Sequence, residues 1–292
     1  MNNAVNYQNL SKDLIGLDVR FDYSLKTLTK YGTGGNAKVV VFPTSSEEIK
    51  FVVNTIKGKY PYAIIGGGSN LLISDKGFNG VVICTTKASR IDVKGNLLTA
   101  ECGAKLHSVI KEMQDNCFGG LEFAIGIPAT IGGAVAMNAG CYGKSISELV
   151  KYVVSENGVY TNYECGFSYR TSRFLNNETI LKVCLSLEPT EEDVIEERIK
   201  SYKGFRKNPK GKNCGSVFKN EGYFAGKIID EVGLKGFSVG GAKVSNEHAN
   251  FIIANDDATS QDIYNLIKHI KEKVYQKKQI ELVEELVYLG EF

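Results

Sequence analysis

Two glycine-rich segments have residue types and a spacing that could hold a cofactor. The first, Gly66-Gly-Gly-Ser-Asn70, follows a predicted buried strand at 61–65. Backbone without side chains can approach a pyrophosphate closely and present several N–H donors to it. For a lone triple glycine, however, a tight turn is the favoured interpretation.

Two common nucleotide-binding loops do not fit this sequence. A dinucleotide fingerprint of the G-x-G-x-x-G type opens a helix, whereas residues 71–74 after the triple glycine are predicted to form a strand. A phosphate-binding loop that ends in Gly143-Lys-Ser145 would need glycine five positions earlier, where this chain has Asn138.

The second segment, residues 126–140, combines glycines and other small residues with few charges. It could line a flat, largely apolar cofactor such as a flavin ring, or it could be a tightly packed loop and helix. The segment alone favours neither interpretation. Together, the two glycine clusters imply a long ligand held mostly by backbone groups.

The elements that must position these segments follow from hydrophobic spacing and turn residues. Ser45 with Glu48, and Thr259 with Asp262, have the spacing of helix-start capping boxes. Short β-branched runs separated by turn residues between 70 and 190 predict an α+β domain on a mixed or antiparallel sheet. Strands are predicted at 37–42, 61–65, 71–74, 80–84, 97–101, 152–155, 180–184 and 250–254, and helices at 45–56, 106–114, 190–202, 224–232 and 259–277.

Composition narrows the class of protein. The chain has 292 residues and 43% hydrophobic content, which is enough to bury a sizeable core. The formal net charge of +2 gives no strong basic field, so we expect no nucleic-acid partner. No stretch is apolar and long enough for a membrane span, and the first residues lack the pattern of a signal peptide, so we expect a cytoplasmic protein that does not bind membranes.

Cysteine and histidine usage argues against a metal centre. The seven cysteines are an odd number and have no CxxC spacing, which predicts reduced, mostly buried thiols. The three histidines do not pair at ligand spacing. The sequence therefore predicts no metal site.

Several sequence blocks occur in order between about Lys30 and Gly290. They are Gly34-Gly35, Gly66 to Leu72, Gly126 to Val135, Met137 to Gly140, Phe167 to Ser172, Gly215 to Asn220, Ala225 to Lys227, and Gly240 to Ser245 with His248 and Asn250. Read together, these blocks resemble the UDP-N-acetylenolpyruvoylglucosamine reductase family. The interval between Arg170 and Ser216 has no inserted subdomain, which is similar to the type II members that lack a tyrosine loop.

This resemblance implies an α+β chain with an FAD-binding fold of the vanillyl-alcohol-oxidase type in two subdomains and an α+β substrate-binding domain. We place the subdomains at 1–85 and 86–200 and the substrate domain at 201–292, with residues near 280–292 returning to the active-site region. The implied activity is reduction of UDP-N-acetylglucosamine enolpyruvate to UDP-N-acetylmuramate in peptidoglycan precursor synthesis. Non-covalent FAD, NADPH, a UDP-sugar substrate and a cytoplasmic monomer are expected.

The chemistry requires a cation near the substrate carboxylate and a proton source, because adding hydride to the enol ether builds negative charge on that carboxylate. Arg170 can grip a carboxylate with its planar fork, although a surface ion pair is the ordinary role of an arginine. By resemblance, Ser216 is the proton donor and Glu285 lies near the forming enolate. Glu281 and Glu284 are rivals for the latter role.

The resemblance also assigns binding residues. Those expected to contact substrate are Tyr169, Arg206, Asn220 and Lys227. Those expected to contact FAD are Gly66, Gly67, Gly68, Ser69, Asn70, Leu71, Gly126, Ile127, Pro128, Ala129, Thr130, Gly132, Gly133, Ala134, Asn138 and Gly140.

The chain departs from the family pattern at three places, and two other functions compete with the reductase. The chain matches the basic segment expected before Gly215 only loosely, at Arg206-Lys-Asn-Pro209. It has Tyr31-Gly-Thr-Gly-Gly35 where the family often has arginine before the glycine pair, and Leu282 to Val287 lacks the arginine of the usual final block. An oxidase of the same fold is the first alternative, and a non-catalytic nucleotide-binding protein is the second.

Overall fold

A computed structural model describes residues 7–206 and 208–292. Its α-helices are α1 (Leu10–Asp13), α2 (Ser46–Ile56), α3 (Leu106–Asp115), α4 (Ile131–Ala136), α5 (Phe174–Asn177), α6 (Glu192–Phe205), α7 (Ala225–Glu231) and α8 (Ser260–Lys278). Its strands are β1 (Val19–Ser24), β2 (Asn36–Val41), β3 (Tyr62–Ile65), β4 (Leu71–Ile73), β5 (Phe78–Cys84), β6 (Ile91–Lys94), β7 (Leu97–Glu101), β8 (Phe118–Gly119), β9 (Gly140–Cys141), β10 (Lys144–Ser145), β11 (Val150–Ser155), β12 (Val159–Thr161), β13 (Ile180–Ser186), β14 (Glu188–Pro189), β15 (Ser238–Val239), β16 (Ala242–Val244), β17 (Ile252–Ala254) and β18 (Val287–Leu289).

Both predicted helix starts are confirmed. Ser45 Oγ accepts from the Glu48 N–H at 3.1 Å, so α2 begins at the next residue. Thr259 Oγ1 accepts from the Asp262 N–H at 3.0 Å, and the Asp262 carboxylate accepts from the Thr259 N–H at 3.0 Å, which completes the capping box of α8. The short polar side chains therefore fix where each helix enters.

The chain forms two compact units, each discontinuous in sequence. The first comprises the described residues of Met1–Arg20, Val39–Gly67 and Val81–Lys207, and the second comprises Phe21–Lys38, Gly68–Gly80 and Asn208–Phe292. Each unit has its own core of buried apolar side chains. The three-part division at residues 85 and 200 stays a prediction.

The first unit contains a five-stranded antiparallel sheet of order β12-β11-β13-β7-β6. The prediction for residues 70–190 left a mixed or an antiparallel sheet open, and this sheet is antiparallel. The strand before the triple glycine, β3, pairs in parallel with β5, in a sheet of order β1-β2-β5-β3. Strand β5 therefore lies between β2 and β3 in this sheet.

The second unit contains the antiparallel sheet β15-β16-β17 and the parallel pair β4 and β18. Helix α8 buries one apolar face in the core of this unit, as its spacing predicts. The pairing of β18 with β4 brings Val287 opposite Leu71, so the last strand runs beside the strand that follows the glycine turn.

Several predicted boundaries differ from the structure by one to three residues, and two of them lie at the candidate site. Helix α6 continues to Phe205 rather than ending at Tyr202, and β17 starts at Ile252 rather than Asn250. Asn250 and Phe251 are not part of the strand because they contact residues 216–218 instead. Five of the seven cysteines are buried, which confirms the prediction that most of them are buried. No helix within 7–206 or 208–292 is long and apolar enough to cross a bilayer.

Candidate active site

In the first unit, the two glycine segments touch. A Cβ atom placed on Gly66 would collide with Thr130 Oγ1, and one placed on Gly67 would lie 3.2 Å from the carbonyl oxygen of Pro128. Only glycine lets the backbone after β3 pack this closely on residues 128–130. The two segments predicted to share one ligand are therefore adjacent.

The segment at 126–140 proves to be a packed loop and helix that still presents exposed backbone. The Gly132 N–H donates to the Cys102 carbonyl at 2.9 Å, and a Cβ on Gly132 would lie 2.7 Å from Cys102 Cβ. Gly133, by contrast, is exposed, and its N–H donates to the capping Thr130 Oγ1 at 3.3 Å. Close packing explains Gly132, whereas the exposed Gly133 leaves backbone accessible to a flat ligand.

In the second unit, residues 68–70 present backbone donors. Gly68 has φ +60°, and a Cβ there would collide with the Leu28 carbonyl, so the turn requires glycine. Within the part of the chain that the structure describes, the N–H groups of Gly68, Ser69 and Asn70 donate to no protein acceptor. Such a row of free donors suits a pyrophosphate, so this turn fits the diphosphate of FAD.

Asn70 uses its side chain for the protein itself. Its Nδ2 donates to the Glu285 carbonyl at 2.9 Å, and its carbonyl accepts from the Val287 N–H at 3.1 Å. The backbone N–H of Asn70 is not used by either of these bonds. The same bonds hold the segment around Glu285 beside the glycine turn.

Arg170 lies in a strained turn of the first unit. Its φ is +55°, a left-handed conformation that is uncommon for residues other than glycine. Its Nη2 donates to the Gly140 carbonyl at 2.7 Å, and its guanidinium lies 5.1 Å from the centre of the Tyr169 ring. The side chain is thus fixed in direction while keeping its positive charge.

Asn138 supports the same turn. Its Nδ2 donates to the Ser168 carbonyl at 2.9 Å, and its Oδ1 accepts from the Ser147 N–H at 3.3 Å. The predicted FAD contacts Asn138 and Gly140 therefore both bind the turn that carries Arg170. The Asn138 amide group and the Gly140 carbonyl therefore both have protein partners.

A cavity of about 450 Å³ opens in front of this turn. The cations lining it are Arg170 and Lys144, so it suits an anionic group. Burial raises the pKa of the Cys141 thiol on its wall, so that side chain is a neutral thiol at pH 7. The lining residues are Asn138, Gly140, Cys141, Gly143, Lys144, Ser145, Ser168, Tyr169 and Arg170.

Arg206, a predicted substrate contact, lies against this wall. Its Nη2 donates to Cys141 Sγ at 3.2 Å, and its guanidinium lies 5.9 Å from the centre of the Tyr142 ring. A Cβ on Gly126 would lie 2.8 Å from Arg206 Cδ. The end of α6 is therefore packed on the second glycine segment.

In the second unit, Ser216 and Glu285 lie on neighbouring extended segments. The Glu285 N–H donates to the Val217 carbonyl at 2.8 Å, and the Lys219 N–H donates to the Val283 carbonyl at 2.8 Å. This register places Glu285 opposite the residue that follows Ser216. The two predicted catalytic residues of this unit are thus joined through backbone.

Glu284 and Glu281, the rivals of Glu285, have different surroundings. The Glu284 carboxylate accepts from Lys271 Nζ at 2.8 Å, so it is already paired. Glu281 is exposed, and its carbonyl accepts from the Tyr223 hydroxyl at 3.0 Å. The choice of Glu285 over Glu281 and Glu284 stays a prediction from the resemblance.

The other two predicted substrate contacts lie at α7. The Asn220 Oδ1 accepts from the Ala225 N–H at 2.9 Å, at the start of that helix. Lys227 is exposed within it. Sequence reasoning missed Asn250, whose side chain binds the backbone of Phe218; its place in the block after Gly240 was the only signal.

Two family models match the chain. Residues 37–161 match the FAD binding domain, and residues 207–289 match the C-terminal domain of UDP-N-acetylenolpyruvoylglucosamine reductase. Fold and site therefore define a flavoprotein, an oxidoreductase built around FAD.

Full-length relatives specify the family. The chain is 38% identical to the UDP-N-acetylenolpyruvoylglucosamine reductase of Clostridium botulinum strain Langeland, over 100% of the chain and 99% of that protein. It is 37% identical to the reductase of Caldicellulosiruptor bescii, over 95% and 92%. The crystal structure of the Thermus caldophilus reductase superposes with a TM-score of 0.81 at 32% identity, over 94% of this chain and 99% of that one.

The chain belongs to the UDP-N-acetylenolpyruvoylglucosamine reductase family. The resemblance, the α+β fold and the FAD cofactor predicted from the sequence are confirmed. Membership sets aside the oxidase and the non-catalytic nucleotide-binding protein as functions of this chain.

Proposed function

We propose that this chain reduces the enolpyruvyl group of UDP-N-acetylglucosamine enolpyruvate and so makes UDP-N-acetylmuramate for peptidoglycan. The observation that carries the proposal is membership of the reductase family over the full length of the chain. When bound, FAD supplies the hydride, which it takes from NADPH. The product gains that hydride at the terminal carbon and a proton at the adjacent carbon, and NADPH becomes NADP⁺.

Arg170 binds the carboxylate of the enolpyruvyl group. Its bond to the Gly140 carbonyl uses Nη2 and fixes the direction of the guanidinium. Its fixed positive charge stabilises the enolate that develops on the carboxylate during hydride addition. Lys144 adds positive charge to the same cavity.

Ser216 donates the proton to the carbon next to the carboxylate. A serine hydroxyl is a weak acid, so it can act only on a strongly basic enolate and only when it is held in position. Glu285 lies beside that proton transfer and acts as a protonated or water-bridged group, because a bare carboxylate would repel the enolate. The backbone bond between Glu285 and Val217 supports this pairing.

The half-reactions test the proposal. In anaerobic stopped-flow absorbance, NADPH should bleach the flavin, and UDP-N-acetylglucosamine enolpyruvate should restore its oxidised spectrum. Ser216→Ala should bleach at the wild-type rate and recover about 10²-fold or more slowly, because only the proton transfer is impaired. Equal slowing of both steps would contradict the role of Ser216, and wild-type bleaching without recovery would contradict the substrate.

We also propose that the protein acts as a cytoplasmic monomer. Each unit has its own buried core, and the reductant NADPH is a cytoplasmic metabolite. Sedimentation of the FAD-loaded protein at several concentrations should give the mass of one chain, 32.0 kDa plus FAD. A concentration-independent larger mass would refute the monomer, and recovery in the membrane or secreted fraction of the native host would refute the location.

A further inference from the structure

One buried side chain in the second unit binds the backbone next to Ser216. Asn250 is 2% exposed, its Oδ1 accepts from the Phe218 N–H at 2.9 Å, and its Nδ2 donates to the Phe218 carbonyl at 2.8 Å. Its own carbonyl accepts from the Val217 N–H at 2.9 Å. One residue therefore makes three hydrogen bonds to the two residues that follow Ser216.

The same short segment is bound on another edge by the chain around Glu285. The Val217 carbonyl accepts from the Glu285 N–H at 2.8 Å, while the Val217 N–H donates to Asn250. Ser216 pairs with Phe251, and Phe218 pairs with Glu284. Residues 216–218 thus lie between 250–251 and 284–285, and a shift of Val217 would move both Ser216 and Glu285.

Asn250 is itself held in place. Its N–H donates to His248 Nδ1 at 3.2 Å, and the Phe251 N–H donates to the His248 carbonyl at 3.0 Å. These bonds close a turn over 248–251. The amide of Asn250 therefore projects from a fixed backbone and can fix a second one.

We propose that Asn250 is a positioning residue that sets the relative placement of Ser216 and Glu285 for the proton transfer. The inference rests on the function proposed above. A primary amide suits this position because it offers an acceptor to the N–H and a donor to the carbonyl of the same residue, Phe218. An aspartate keeps the acceptor but lacks the donor, so it would leave the buried Phe218 carbonyl without its partner.

Asn250→Asp is the first variant, and Asn265→Asp is its matched control. Asn265 is exposed on α8, and its Oδ1 accepts from Gln261, a bond that aspartate retains. Flavin reduction by NADPH should be unchanged in both variants. Reoxidation by UDP-N-acetylglucosamine enolpyruvate should fall about 10²-fold in Asn250→Asp alone, the cost of misplacing a reacting group by about 1 Å.

A double variant distinguishes positioning from a general structural role. If Asn250 acts through Ser216, then Ser216→Ala with Asn250→Asp should reoxidise no more slowly than Ser216→Ala alone. Independent effects would multiply, and that result would overturn the inference. Equal slowing of both half-reactions in Asn250→Asp would overturn it as well.

Two further measurements keep the outcome clear. If Asn250→Asp loses FAD or unfolds, Asn250→Ser, which introduces no charge, replaces it in the same comparison, and normal reoxidation in that variant would refute the inference. Failure of the proposed function is seen separately, because wild-type protein would then not reoxidise or Ser216→Ala would reoxidise normally.

Discussion

Replacing Gly66 with alanine tests the contact between the two glycine segments. The new methyl group would collide with Thr130 Oγ1, and Thr130 is only 2% exposed, so its side chain cannot move freely. Thr130 would lose its bond to the Gly133 N–H, which costs about 1 kcal/mol as a lost helix cap. Overpacking adds about 1–3 kcal/mol, so the free energy of unfolding should fall by about 2–4 kcal/mol.

Removing the obstructing hydroxyl should restore part of that loss. Thr130→Ala alone should cost about 1 kcal/mol for the lost cap. In the double variant, the methyl group added at position 66 would lie 3.5 Å from the Cβ of residue 130, an ordinary contact. The double variant should therefore be more stable than Gly66→Ala alone.

Urea unfolding of the apoprotein measures these free energies, and titration with FAD measures the affinity. The FAD dissociation constant of Gly66→Ala should rise about tenfold or more. We expect displacement of the loop to weaken the binding free energy of FAD by about 1.4 kcal/mol, which corresponds to that factor. Gly204→Ala is the control. Gly204 lies in α6 with no atom within 4 Å of an added Cβ, so alanine there should be neutral or stabilise by up to about 1 kcal/mol.

Two results would refute the reasoning. Wild-type stability of Gly66→Ala would mean that the loop accommodates a side chain without displacing Thr130. A double variant whose loss equals the sum of the two single losses would mean that Gly66 and Thr130 do not interact.

Arg170→Lys should raise the KM for the UDP-sugar about 10-fold or more, because an ammonium cannot bind a carboxylate bidentately, and should leave flavin reduction by NADPH unchanged. Steady-state kinetics measures the KM and stopped-flow absorbance measures the reduction rate. A changed reduction rate would contradict a role for Arg170 in substrate binding alone. Asp18→Asn should make the thermal stability of the protein less dependent on pH in the acid range. Hydrogen bonds from Arg20 and then Lys87 lower the pKa of Asp18 to about 2, so its stabilisation is present above its unfolded pKa of about 3.9 and is lost as pH falls toward 2. Thermal unfolding between those pH values compares the variant with wild type, and parallel curves would contradict the ion pair's contribution.

Local signals in the sequence predicted the five longest α-helices of this fold. Ser45 and Thr259 each bind a backbone N–H three residues later, so their effect is complete within one helical turn and can be read from spacing alone. The same holds for the apolar face of α8, which repeats at helical spacing.

Pairings between distant residues could not be predicted in this way. The parallel pair of β4 and β18 joins Leu71 to Val287, and no local pattern specifies a partner so far along the chain. The start of β17 was misplaced for a similar reason, because the Asn250 side chain binds the backbone of Phe218, which is distant in sequence.

Site chemistry was predicted by residue type, whereas the support of each side chain was not. Arg170 was selected for its charge, but its left-handed turn depends on Asn138 and Gly140, which had been interpreted as cofactor contacts. An asparagine in a glycine-rich segment has the same appearance in sequence whether its amide faces a ligand or a neighbouring loop.

The discontinuity of the second unit has a consequence for the order in which the chain is synthesised. That unit draws on Phe21–Lys38, Gly68–Gly80 and Asn208–Phe292. A ribosome releases the first two segments long before the third, so their apolar residues Tyr31 and Leu72 must wait for partners such as Phe218 and Leu286. The nascent protein therefore exposes apolar side chains of this unit through most of its translation. We expect it to be most dependent on chaperones at this stage.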